Sequence, residues 1–116
     1  MAYDEGLAQI FRDDLIERGT DIAEVKMFGG LLFKHRGHML CGVHKIKATG
    51  DDGAMFRVGP ENYEAALAID GIEKLTFTKT PMKGLVESDA EIFDDDEKRR
   101  AVLDMALEFT SSLKPK

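Results

Sequence analysis

Between Glu24 and Val58 no helical period can be laid on the chain. Gly29, Gly30, Gly37, Gly42, Gly50 and Gly53 fall in this stretch, and β-branched and aromatic residues replace a 3.6-residue repeat. The segment reads as sheet, and the rest of the chain must cover it. Three strands are expected here: Glu24 to Lys34, bent or bulged at Gly29-Gly30, then His38 to Lys47, then Ala54 to Val58. His35-Arg36-Gly37 makes the first connection tight, and the polar run Thr49 to Gly53 makes the second longer.

Helical spacing returns on both sides of this sheet. Leu7, Ile10, Phe11 and Leu15 form an apolar stripe, with Asp4 placed to cap it and Gly19 to stop it. Gly59-Pro60 reads as the opening of a second helix, with Tyr63, Ala66 and Leu67 on one face and Gly71 as its end. Glu73 to Thr78 alternates polar and apolar side chains, Pro81 interrupts, and Met82 to Ser88 supplies a further strand antiparallel to it. Asp94 and Glu97 have capping-box spacing before a last helix whose stripe is Val102, Met105, Ala106, Phe109 and Leu113. The order α-β-β-β-α-β-β-α predicts an α+β, two-layer sandwich with a largely antiparallel sheet, as a single domain over residues 1–116.

With 43% hydrophobic residues the chain can bury a core, and its 16 Lys and Arg against 22 Asp and Glu give a net charge of −6. The longest apolar run, Met27 to Phe33, is far short of the roughly 20 residues that span a bilayer, so no membrane role is expected. The amino terminus has neither the cationic start nor the apolar stretch of a secretory signal. One cysteine forms no internal disulfide, so the expected location is cytoplasmic.

His35, His38, Cys41 and His44 stand three residues apart and invite a zinc reading. Strand alternation puts His38 and His44 on one face and Cys41 on the other, so no metal, cofactor or catalytic cysteine is expected there. Lys26, Lys34, Arg36, Lys45 and Lys47 make residues 26–47 a basic segment without acids, a candidate patch for an anionic partner. With a pI near 5.0, any direct nucleic-acid binding through it is expected to be weak. The first strand is apolar on both faces, and either a partner chain or loops of the chain itself must cover the second. A homodimer through the sheet follows from the first alternative.

Several elements in order carry a family pattern. Met27-Phe28-Gly29-Gly30 leads into an apolar strand and then Gly37-x-Met39-x-Cys41-x-Val43. Phe56-Arg57-Val58-Gly59-Pro60 and Pro81-Met82-x-Gly84 follow. The chain thereby resembles, from about Leu7 to Leu113, the amino-terminal domain of the TfoX/Sxy competence regulators. The resemblance implies a bacterial protein with a secretion-chaperone-like sandwich, and a regulatory role by protein contact, in transcriptional or competence control. It offers no catalytic residues. Met27, Phe28, Gly29, Gly30, Arg57, Gly59, Pro60, Pro81 and Gly84 are then fold determinants, and a non-enzymatic protein-interaction module is the leading expectation. Nucleic-acid binding through residues 26–47 is the alternative, ahead of a metal or enzymatic role.

Overall fold

The computed structural model describes residues 4–19, 21–27, 29–46, 49–75 and 84–114, with the backbone alone at 27. Residues 76–78 of the expected strand Glu73 to Thr78 and the motif residues Phe28, Pro81 and Met82 lie outside them, as does Lys47. In chain order the elements are α1 (Glu5–Glu17), β1 (Ile22–Met27), β2 (Gly30–His35), β3 (His38–Lys45), β4 (Asp52–Arg57), α2 (Tyr63–Leu67), β5 (Ile72–Lys74), β6 (Leu85–Asp89), a 3-10 helix (Ala90–Asp94) and α3 (Asp96–Ser112). The fold is α+β. Its six strands pair antiparallel throughout, in the order β1-β2-β3-β4-β6-β5.

The expected first strand is two strands. Met27 pairs with Gly30, Val25 with Leu32 and Ala23 with Lys34, so the chain reverses at Gly29. Gly29 has φ 73°, the left-handed backbone a tight reversal uses. The apolar run Met27 to Phe33 straddles this turn, which is why it reads as one continuous strand in the sequence. The next reversal, at Arg36 and Gly37, has positive φ at both residues (58° and 85°), the requirement of a type I′ hairpin turn.

Leu31, Phe33, Cys41, Val43, Ala54, Phe56 and Val86 line the face covered by α1 and α3. Phe11 of α1 is the hub of this core. Its ring meets Phe33, Phe56 and Phe93 edge-on, with centroids 5.8, 5.6 and 5.1 Å away. Asp4 caps α1 by accepting from the Gly6 and Leu7 N–H groups, and Gly19 (φ 65°) follows its end, as the spacing predicts.

Two helix starts fall later than expected. Pro60 does not open α2: residues 60–62 form a turn, and Asn62 precedes the first helical residue, Tyr63. Asp94 ends the 3-10 helix, and Asp95 caps α3 by accepting from Lys98 N–H (3.0 Å). The buried stripe of α3 is Arg99, Val102, Leu103, Ala106 and Thr110, whereas Met105, Phe109 and Leu113 are half-buried.

The second face of the central strands is also buried within the single chain. Leu32, His44, Leu85 and Glu87 are each at most 7% exposed. Of the two coverings left open by the sequence, the chain supplies its own at these four positions.

Candidate functional site

The cluster of histidines and cysteine does not converge. Leu40 is an extra residue between the pairs Phe33–Cys41 and Lys34–Met39, so β3 carries a bulge. The bulge overturns the alternation argument for His38: it does not share a face with His44. His38 Nε2 donates to Lys114 O (2.6 Å) at the end of α3, and His35 Nδ1 lies 2.8 Å from Thr110 Oγ1. Cys41 is fully buried in the core, and burial pushes its thiol far above the ordinary range. A neutral thiol without access to solvent is a poor nucleophile. Among the described residues no group of three His, Cys, Asp or Glu side chains is placed to hold a metal ion.

His44 faces the other side of the sheet. Its Nε2 donates to Glu87 Oε2 at 2.6 Å, with both side chains almost fully buried. The pair reaches diagonally across β4, where Gly53 stands opposite His44 and Met55 opposite Glu87. A carboxylate holding an imidazole in this way fixes its tautomer and orientation. Nδ1 has no hydrogen-bond partner among the described residues. Cys41 lies on the opposite face of the same strand, so the two do not form a thiol–imidazole pair.

The basic segment is divided between the two ends of the sheet. Arg36 donates to Ser111 O at the carboxy-terminal end of α3, where the helix dipole favours a cation. Lys45 pairs with Asp52 (2.7 Å) at the far end of β3, roughly 20 Å away along the strand. Lys34 lies near Arg36, opposite Met39, and Lys26 is on β1 opposite Leu31. These cations do not form one continuous patch; Lys45 is already paired with Asp52, and Arg36 is engaged with the Ser111 carbonyl.

The Arg57-Val58-Gly59-Pro60 motif has a structural use. The Arg57 guanidinium sits 5.2 Å from the centroid of the Phe109 ring. Gly59 (φ 87°) lies so close to the same ring that a Cβ would stand 2.3 Å from its Cδ1. The Gly84 carbonyl accepts from the N–H groups of Val58 and Gly59 (2.8 and 3.2 Å). Arg57 and Gly59 thereby seat the last turns of α3 against the end of β4, and the Gly84 carbonyl ties that end to the start of β6.

One feature was not anticipated from the sequence. β1 is an edge strand of six residues, paired among the described residues only with β2. Ala23, Glu24 and Lys26 on it are exposed, and Val25 is half-buried. Between this strand and α1 runs a groove of about 300 Å³ lined by Gln9, Arg12, Leu15, Ile16, Ile22 and Glu24. Ile16, on its rim, is 73% exposed, and among the described residues no other large apolar side chain is so exposed. Arg12 spans the groove, donating through Nε and Nη2 to both oxygens of Glu24 (2.8 Å each). That bidentate bond holds the Glu24 carboxyl below its usual range, despite the opposing effect of burial.

No family model and no curated protein matches this chain. Among the described residues no helix is long and apolar enough to cross a membrane.

The His35 contact carries a pH dependence. Burial, and then the charge of Arg36, lower its affinity for a proton relative to the unfolded chain. The unfolded state therefore binds more protons in mild acid, so this stabilisation is present above about pH 6.5 and lost as pH falls through the depressed folded value. The thermal midpoint should fall between pH 7.5 and 5.5 by more in the wild type than in His35→Gln. Equal falls in the two proteins would remove His35 as the cause.

Proposed function

We propose that this chain is a regulatory protein-interaction module that works without turnover, and that its partner docks on the free edge of β1 and the groove beside α1. The observation that carries this reading is the edge itself. Of its six residues, Ile22, Glu24 and Lys26 turn their backbone groups away from β2 beside the exposed Ile16, while Arg99 and Asp14, His44 and Glu87 are committed to internal pairs. An exposed edge that is neither short nor covered is a template for another strand, and natural domains use such edges to add one. The resemblance to the amino-terminal domain of the TfoX/Sxy regulators suggests that the contact serves transcriptional or competence control. Nucleic-acid binding draws less support, because the cations it needs stand at opposite ends of the sheet.

The test is a photo-crosslinking residue placed at Ala23, compared with one at Glu73 on the opposite edge strand. Both positions are exposed. Capture of a defined protein from position 23, lost when Lys26→Pro removes an edge N–H, is the expected result. Capture only from position 73, or capture from 23 that Lys26→Pro leaves unchanged, would overturn the reading.

A further inference from the structure

We infer that the edge of β1 pairs antiparallel with β1 of a second copy of this chain, in the register whose two-fold axis passes through Val25. The inference rests on the reading of β1 as the docking edge and names the occupant. Pairing of Met27 with Gly30 across two intervening residues, and alternation from there, direct the Val25 and Ala23 backbone bonds inward to β2. The N–H and C=O groups of Ile22, Glu24 and Lys26 then point outward. Centred on Val25, an antiparallel copy sets Glu24 opposite Lys26 and Lys26 opposite Glu24, and those residues exchange the new backbone bonds.

Charge selects this register over its neighbours. A two-fold axis at residue 24 or 26 sets like charges directly opposite, which is unfavourable, whereas the axis at Val25 makes two opposite-charge pairs on one face. The carboxylate of Glu24 is already fixed by Arg12, so each pair extends an Arg12–Glu24 bridge to the partner's lysine. Lys26 has no ion-pair partner among the described residues. On the other face Val25 meets its own copy at the axis, and the half-buried side chain becomes covered. Five paired residues alone, 23–27 of each copy, fall below the roughly 1,200 Å² of a stable interface, so the exposed Ile16 and the α1 groove must contribute and the association is weak.

The register makes the test specific. Lys26→Glu sets carboxylate against carboxylate at both cross-strand pairs, and Glu24→Lys sets ammonium against ammonium. Each variant alone should self-associate at least about tenfold more weakly than wild type by sedimentation velocity, while an equal mixture regains the wild-type dimer. Because Glu24→Lys also breaks the Arg12 bridge, a second probe avoids it. Val25→Cys stands at the axis, where facing Cα atoms of a non-hydrogen-bonded pair approach to about 4.5 Å. Mild oxidation should give a disulfide-linked dimer from Val25→Cys in preference to Ala23→Cys, with the buried Cys41 not reacting. Wild-type protein that stays monomeric up to millimolar concentration, or preferential crosslinking at position 23, would overturn the inference. If the Ala23 photo-crosslinker then still captures a different protein, the docking edge stands and only its occupant is wrong.

Discussion

Asp14→Ala should cost about 3–5 kcal/mol, the penalty for removing one partner of a buried ion pair. The Asp14 and Arg99 side chains are each 3% exposed, and they join α1 to α3. Arg99 Nε donates to Asp14 Oδ2 (2.6 Å) and Nη2 to Oδ1 (3.2 Å), while Nη1 donates to Phe93 O (3.0 Å). Alanine would leave a guanidinium in the core with only Phe93 O and the exposed Asp96 to hold it. At about 4 °C per kcal/mol for a domain of this size, the thermal midpoint should fall by roughly 12–20 °C. Replacing both charges, as Asp14→Leu with Arg99→Met, should cost less than the sum of the single changes, because neither buried charge is then left alone. A single-variant loss below about 1 kcal/mol, or strict additivity, would show that the pair is not coupled as the geometry requires.

That pair also marks how far the sequence could be read. The apolar stripe of α1 was legible from Phe11 and Leu15, and the caps at Asp4 and Gly19 from their residue types. Asp14 lies on the same face, three residues from Phe11 and adjacent to Leu15, and Arg99 stands three residues before Val102 on the stripe of α3. Opposite charges on the buried stripes of two terminal helices were the available signal, and a reading that assigns charges to solvent passes over it. The antiparallel pairing of the last two strands was legible from two adjacent strand-like runs on either side of Pro81 with no helix between them. The reversal at Gly29 was not, since apolar residues on both sides of a tight turn leave no change of polarity to mark it. Nor was the bulge at Leu40: one extra residue shifts the alternation, and period-two reasoning then assigns His38 to the wrong face. The edge position of β1 depends on that missed reversal, so the proposed docking surface could not have been found without the strand pairing.

Gly30→Val should be the most damaging change in the sheet, for a reason different from its neighbour's. Gly29 needs its backbone conformation: φ is 73°. Asparagine tolerates that region, so Gly29→Asn should cost about 1 kcal/mol or less. Gly30 has ordinary backbone geometry but no space. A Cβ built there would stand 2.3 Å from Val43 O and 3.0 Å from His44 Cβ, against the backbone of β3 rather than the end of a flexible side chain. Only movement of β3 away from β2 can relieve such a contact, and that movement works against the adjacent Leu31–Val43 pair and the seating of His44 on Glu87. Overpacking of a yielding core costs about 1–3 kcal/mol, so against backbone Gly30→Ala should reach the upper part of that range and Gly30→Val exceed it. Were the two glycines a shared bend in one continuous strand, both positions would respond to their tolerance of positive φ, and asparagine would rescue either. Denaturant unfolding of Gly29→Asn, Gly30→Ala and Gly30→Asn separates the cases: position 30 should reject both substitutions while position 29 accepts its own. A Gly30→Ala midpoint equal to wild type would mean that β2 and β3 are not packed this closely in solution.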